Sequence, residues 1–555
     1  MKTRSMRALA ACLLSAAATA YPLVGTAQAP RFEVTVSPGV QPVPLTGRLV
    51  VILARNAEPE PRYTLSPNGP AVFGIDVEQL APGSIAVVDS TAVGYPAGLA
   101  ELPPGEYHAQ AVVNVYERVQ RADGDTLWLP MTDGRIEFFT VGAGNLYSEP
   151  RPVTVEAGAT VRLTIDRVIP EAPEPVDTEW LRHVSIRSEK LSAFWGRPIH
   201  IHATVLLPRG YTDRPDVRYP AVYALGHSIP FSFDPDSARA RNVGRIDPVR
   251  GVESGYDFYR AWASDDFPRV IAITLQQSTP YFPDSYSVNS ANNGPYGDAF
   301  VEEVVPYLER EFRIITEPYA RILEGASTSG WQSLALMLRN PSLFGGAWIL
   351  QPDPIDFRSY LLTDIYEDEN AFTTRRGELT VERPFRRTVE GQVVWTMRQV
   401  SRFEAVLGSH GRSGYQLTGW EAVYGPTDDA GYPKPLWDKL TGEIDRDVAE
   451  YMRENGYDLR EFAARNWSAI GPDLAGKLHF FAGDMDDFYL NRAVYRFEEF
   501  LESVEDPASD AEFTYGRPMK GHSWHAFPWA EMVRRMAAHV RENAPADADV
   551  AQWWR

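Results

Sequence analysis

From about residue 30 to 168, apolar and polar positions alternate along the chain. Phe32, Val34 and Val36 are separated by Glu33 and Thr35, and Val161, Leu163 and Ile165 by Arg162 and Thr164. A period of two is that of a half-buried strand. Turn clusters such as Ser37-Pro38-Gly39 and Leu102-Pro103-Pro104-Gly105 divide the runs. The pattern predicts a small N-terminal β-sandwich of the immunoglobulin-like kind over 30–168. Pro170, Pro173 and Pro175 mark a linker over 169–180. From 181 to 555 the pattern becomes alternating strands and helices, an α/β domain with a mostly parallel sheet. Segments 203–207, 221–225 and 270–275 are apolar strand candidates. Val301, Val304, Val305, Leu308 and Phe312 follow at helical spacing, with Pro306 expected to kink that helix. Ile322-Leu323 leads into Gly325. Beyond it Trp331, Leu334, Ala335 and Leu338 fall at i, i+3, i+4 and i+7, and Asn340-Pro341 ends the helix. Residues from about 358 to 474 are richer in charge and aromatic groups and predict a mostly helical insertion. Strand pattern returns at 477–482.

The N-terminus changes the picture of location. Lys2, Arg4 and Arg7 precede an apolar stretch from Ala8 to about Ala20, and small residues follow at Gly25-Thr26-Ala27-Gln28-Ala29. This is the pattern of a secretory signal over 1–29, and it implies a secreted or periplasmic protein. Leu9-Ala10-Ala11-Cys12 resembles a lipobox, but few apolar residues precede Cys12, so a lipid anchor there is disfavoured. An uncleaved membrane anchor is the third reading. Cys12 is the only cysteine of the 555 residues, and its loss with the leader excludes thiol catalysis and thiolate metal sites in the mature chain. Losing Lys2, Arg4 and Arg7 takes the net charge from −20 to −23. A phosphate backbone would be repelled, and nucleic acid is set aside as a partner.

The candidate chemistry centres on Glu324-Gly325-Ala326-Ser327-Thr328-Ser329-Gly330-Trp331, between a predicted strand and a predicted helix. A serine on such a sharp turn is held in strained backbone geometry, with its hydroxyl above the sheet. Ser329 stands where a glycine is usual, and is itself the rival nucleophile. A serine hydroxyl needs a base, and the base needs an orienting acid. Past the strand at 477–482 comes Gly483-Asp484-Met485-Asp486-Asp487, where Asp486 ranks ahead of Asp487 and Asp484. After a strand-like run at 512–515 comes Lys520-Gly521-His522-Ser523-Trp524-His525, where His522 ranks ahead of His525. The order Ser, Asp, His is that of an α/β-hydrolase. The oxyanion hole needs two donors. The Thr328 amide supplies one, and Ser228, in Gly226-His227-Ser228-Ile229, is the candidate for the other. Trp331, Tyr286, Trp420 and Tyr424 are candidates for substrate contacts, with Trp395 and Trp437 as further aromatics of the insertion. Phe231, Phe233, Tyr281 and Phe282 fall in loops at the same expected face. His200 and His202 lie at i, i+2 without an evident third ligand, and no metal is expected. Asp353 and Asp356 follow the strand after the nucleophile helix and are expected to shape the pocket.

From about 183 to 540 the chain resembles the putative esterase family that includes esterase D, feruloyl esterases and enterochelin-type siderophore esterases. The resemblance rests on Leu207-Pro208-Arg209-Gly210-Tyr211, Tyr219-Pro220-Ala221-Val222-Tyr223, Gly325-Ala326-Ser327-Thr328-Ser329-Gly330 and Gly521-His522-Ser523-Trp524. It implies an α/β-hydrolase fold, Ser327 as nucleophile, His522 as base and Asp486 as acid, with no cofactor. The family's usual His-Gly after the second strand reads Gly226-His227 here. Ester hydrolysis through an acyl-enzyme on Ser327 is the expected activity, on a small-molecule ester such as a carbohydrate ester or a siderophore. The alternatives are a non-catalytic binding protein on the same scaffold, and a peptidase or acyltransferase using the same triad. Substrate and oligomeric state are not legible. The insertion is expected to form a lid over Ser327, against the alternative of a buttress with its tryptophans in its own core.

Overall fold

The computed structural model describes residues 29–132, 134–135, 138–226 and 228–554. The leader expected over 1–29 lies, as far as residue 28, outside them.

The first part of the chain is all β. Arg31–Val36 pairs in parallel with Thr160–Ile165 and antiparallel with Ile85–Val88. A second sheet is built on Leu45–Ala54, Ala71–Leu80 and Gly105–Gln120. The two sheets share one core, in which Phe32 and Val34 of the first meet Leu49, Val51 and Leu53 of the second. The run Leu49–Leu53 does not alternate. It is buried on both faces, because Val50 and Ile52 point the other way, onto Phe403, Val406 and Leu407 of the distant insertion. A continuous apolar run is what a doubly covered strand requires.

The second part is organised by an eight-stranded sheet. Its strands are β1 (Leu181–Ser188), β2 (Ile199–Leu206), β3 (Ala221–Ala224), β4 (Ile271–Gln276), β5 (Arg321–Ala326), β6 (Gly346–Leu350), β7 (Leu478–Gly483) and β8 (Glu512–Gly516). The spatial order is β1-β2-β4-β3-β5-β6-β7-β8, parallel from β4 onward. Central strands β3, β5 and β6 are almost wholly buried, as a parallel sheet covered on both faces demands. Helix α1 (Thr328–Arg339) follows β5 directly. Pro306 has no N–H to donate, and the kink expected there takes the form of a widened π-turn over Phe300–Val304 just before it.

Between β6 and β7 the chain leaves the sheet. The insertion holds helices α2 (Met397–Leu407), α3 (Gln416–Tyr424), α4 (Arg446–Glu454) and α5 (Leu459–Leu474), together with two β-hairpins over 373–396. The hairpins were not expected from composition. They are short, and Leu379 and Val393 remain exposed, so no long apolar alternation announces them.

The insertion is clamped to the N-terminal sheets. Buried Arg48 donates from Nε to the Val406 carbonyl at 3.0 Å and from its terminal nitrogen to Ala405 at 3.1 Å. Those carbonyls belong to the last turn of α2, whose final C=O groups have no partner within the helix. Gly74 lies against the same spot, where a Cβ would stand 2.2 Å from the Val406 oxygen. Gly74→Ala therefore forces the two units apart. It should lower the thermal unfolding midpoint, by an overpacking cost of about 1–3 kcal/mol. Gly98→Ala, with nothing within 4 Å of the added carbon, should leave the midpoint unchanged in the same circular dichroism experiment.

Candidate active site

Ser327 sits on a turn imposed by close packing. Strand β5 and helix α1 pass so near each other that a Cβ on Gly325 would lie 2.4 Å from the Ser329 carbonyl oxygen. One on Gly330 would lie 2.7 Å from the Leu350 oxygen of β6. Between these glycines Ser327 takes φ 60° and ψ −120°, a conformation that favours glycine. Its N–H donates to Leu350 and Gln351 at 3.0 and 3.1 Å, and its carbonyl accepts from Asp353 N at 3.0 Å. Ser329 is buried in the first turn of α1, and its hydroxyl donates to the Leu225 carbonyl just past β3. The serine that replaces the usual glycine is thereby accommodated rather than disruptive.

The three candidate acids divide the work of holding one loop. Asp486 is fully buried. One of its oxygens accepts from the Phe488 and Leu490 amides at 2.9 and 3.1 Å, and the other lies 2.7 Å from His522 Nδ1. Asp487 accepts from the His522 amide at 3.0 Å and pairs with Arg386. Asp484 accepts from the Lys520 amide at 3.0 Å. Gln351, unremarked in the sequence, donates to the His522 and Trp524 carbonyls at 2.6 and 2.7 Å. Arg387 donates to the Asp486 carbonyl at 3.0 Å.

The surroundings of the two histidines move their pKa values in opposite directions. Burial disfavours the charged form of His522, but the adjacent Asp486 carboxylate outweighs it and holds the pKa above the ordinary value. His525 is pushed down to about 4 by burial and by the Arg250 charge. It packs on Trp529 and is bonded to the Ser523 carbonyl.

Ser327 Oγ does not bond His522 here. It donates to Asp353 Oδ1 at 3.1 Å. The other oxygen, Oδ2, accepts from Tyr286 at 2.6 Å, Gln416 at 3.0 Å, Trp420 at 3.1 Å and Thr328 Oγ1 at 3.2 Å. Burial raises the Asp353 pKa, and the Tyr286 and Trp420 donors work against it. Asp356, by contrast, is bound to Arg358.

A mostly apolar cavity of about 300 Å³ opens on Ser327 and Asp353. Leu65, Ser66 and Pro67 of the N-terminal sheets close one side. Phe385, Trp395, Phe403, Tyr415, Gln416 and Trp420 of the insertion form another. Phe488, whose edge meets the His522 ring at 5.1 Å, completes it. Clefts of about 370 and 530 Å³ lie elsewhere and reach neither Ser327 nor His522. Of the residues expected to touch substrate, Trp420 lines the cavity. Tyr286, Trp331 and Tyr424 do not; they pack on one another behind Asp353. Their large apolar area is spent on fixing that wall. Trp395 also lines the cavity, while Trp437 is buried against Tyr360 and donates to Ser401.

Thr328 opens α1, where first-turn amides have no helical partner. Ser228 is exposed, and its carbonyl accepts from Thr274; its neighbour His227 lies outside the described residues. His200 and His202 have ring centres 6.4 Å apart on β2. Among the described residues no group of three or more acidic, His or Cys side chains could hold a metal. Histidine-ring NMR should find His522 titrating above an ordinary histidine and His525 near pH 4, and Asp486→Asn should bring only His522 down.

Residues 196–372 match a family model described as "Putative esterase". Among solved structures, a ferulic acid esterase is 14% identical over 65% of this chain and 97% of its own, with a TM-score of 0.35. An S-formylglutathione hydrolase from Staphylococcus aureus is 14% identical over 65% and 99%, with a TM-score of 0.32. One from Agrobacterium tumefaciens is 13% identical over 66% and 98%, with a TM-score of 0.30. These likenesses are distant. No curated protein matches the chain. The matched segment carries β5, Ser327 and α1 but ends before Asp486 and His522, and over that segment the chain resembles the putative esterases.

Proposed function

We propose that the chain is a serine esterase working through an acyl-enzyme on Ser327. The observation that carries this reading is the pair of buried Asp486 and half-buried His522, 2.7 Å apart, whose imidazole packs on Phe488 of the cavity that Ser327 lines. Ser327 turns from Asp353 to His522, which takes its proton as the oxygen attacks the ester carbonyl. His522 then returns the proton to the leaving alcohol, and water repeats the cycle to release the acid. Asp486 keeps Nδ1 protonated, so that Nε2 is free to act as base. The Thr328 amide, at the open first turn of α1, is the oxyanion donor of this reading, and Ser228 remains the candidate for the second. Apo triads are often loosely made, so the present Ser327–Asp353 bond does not oppose this role.

Two features kept a non-catalytic scaffold open. Ser329 in place of glycine is accommodated by its bond to the Leu225 carbonyl; Gly226-His227 in place of His-Gly falls on a loop whose His227 lies outside the described residues. We read the N-terminal unit as a β-sandwich that supplies a wall of the pocket, and the insertion as the lid that sets substrate size. We read residues 1–29 as a secretory leader, which would carry the enzyme out of the cytoplasm.

Ser327→Ala should lower kcat/KM for p-nitrophenyl butyrate by on the order of 10³-fold or more, with Ser329→Ala far milder. The opposite ranking would move the nucleophile. Activity requires neutral His522, so kcat/KM should fall as pH drops through its raised pKa. Asp486→Asn should shift that limb to lower pH and cut the rate by on the order of 10⁴-fold, whereas Asp484→Asn and Asp487→Asn should act only through loop position. Equal and mild effects from all three would place the acid elsewhere.

A further inference from the structure

The bonding of Asp353 is lopsided, and the lopsidedness has a chemical meaning. Oδ2 accepts from the Tyr286 hydroxyl at 2.6 Å and lies within reach of the Thr328 hydroxyl and of the Gln416 and Trp420 N–H groups, which sit closer to the Tyr286 oxygen, at 2.6 and 2.7 Å. Those two N–H groups donate to the Tyr286 oxygen, so the tyrosine's own hydrogen goes to Oδ2, which is an acceptor. Oδ1 receives one donor, the Ser327 hydroxyl. When Ser327 gives its proton to His522, Oδ1 loses that donor while Asp353 stays buried at 2% exposure. A buried carboxylate oxygen without a donor is costly. It also stands about where negative charge grows as the tetrahedral intermediate forms, and would repel it. An ester without a hydrogen-bond donor next to its carbonyl offers no remedy.

We propose that the ester cleaved here carries an ammonium group on the carbon next to the scissile carbonyl, together with an apolar or aromatic side chain: an α-aminoacyl ester. The inference rests on the serine-esterase reading above. An α-ammonium nitrogen is about 2.5 Å from its carbonyl carbon, and Ser327 Oγ is 3.1 Å from Oδ1. One carboxylate oxygen can therefore hold the ammonium while the hydroxyl reaches the carbon. The ammonium is not consumed; the bonds made and broken are those at the carbonyl. A cation is favoured over a hydroxyl because it also offsets the negative charge beside the oxyanion. The cavity agrees. Glu404, 1% exposed, adds a second acid to the lining, although its oxygens are engaged by Leu417 N, Thr418 N and Ser413. Among the described residues no lysine or arginine lines the cavity. Arg386 lies over the Trp395 and Phe488 rings without entering the lining, and is paired with Asp487. Aromatic rings on the remaining sides suit both a cation and an apolar side chain.

The test compares ethyl esters of phenylalanine, phenyllactic acid and 3-phenylpropanoic acid, which differ only in the α-substituent. For the wild-type protein, kcat/KM should be at least tenfold higher for the phenylalanine ester than for either of the others, and Asp353→Asn should bring that ratio towards one. Equal or better turnover of the phenyllactate or 3-phenylpropanoate ester overturns the proposal, as does a ratio that survives in Asp353→Asn. Binding separates this inference from the esterase reading. In Ser327→Ala, Oδ1 has no serine donor, and phenethylamine should bind and change the tryptophan fluorescence. It should bind at least tenfold more weakly once Asp353→Asn is added. Failure of phenethylamine to bind Ser327→Ala overturns the amine site whatever the esterase activity. Asp353-dependent binding in a protein that cleaves no ester supports the amine site and removes the esterase reading alone.

Discussion

The crossing of β5 over α1 is the constraint from which the site follows. Two chain segments approach until a single added carbon at Gly325 or Gly330 would collide with backbone. The residue between them must then reverse direction in a conformation that side chains resist. The cost is met by the backbone bonds of Ser327 to Leu350, Gln351 and Asp353. Those same bonds draw the segment after β6 under the turn, so that Gln351 can hold the histidine loop and Asp353 can receive the serine hydroxyl. Backbone strain at one residue thus fixes the relative positions of three functional segments that lie far apart in sequence.

Around that turn, acidic side chains take distinct roles because their partners differ. Asp486 has one oxygen tied to amides and the other on the imidazole, which orients His522 and raises its pKa. Asp484 and Asp487 hold backbone of the loop that carries it, and Asp487 also pairs with Arg386. Asp353 faces the cavity from the other side of the serine. In its ionised form Asp353 would hinder an oxyanion unless something in the bound substrate offsets its charge. The same crowding explains the neutral state of His525, which has no carboxylate beside it and feels the Arg250 charge instead.

Much of this was legible in the chain. The glycines flanking Ser327 and the apolar positions of α1 announce a strand, a turn and a helix, because a period and a steric requirement are local properties. The order of Ser327, Asp486 and His522 singled out three loops, and the structure sets Asp486 against His522 while Ser327 bonds Asp353. Other features depend on contacts that no local pattern encodes. Leu65–Pro67 reach the cavity where the N-terminal sheets dock through Gly74 and Arg48 onto the end of α2, and Arg48 lies 358 residues from its partner Val406. Tyr286, Trp331 and Tyr424 were expected at the substrate and instead pack behind Asp353, since an aromatic side chain reads the same in sequence whether it lines a pocket or supports its wall. Gln351 and Gln416 carry no motif; their importance lies in which carbonyl or carboxylate they reach.

The central claim is that Ser327 is an activated nucleophile at the floor of the cavity. The most direct measurement is intact and peptide mass spectrometry after treatment with a fluorophosphonate, which reacts covalently with activated serines. A single adduct on the peptide containing Ser327, lost in a variant in which His522 is replaced by alanine, is the result this account requires. An unmodified Ser327 in folded protein, or an adduct on Ser329 or another serine, would contradict it.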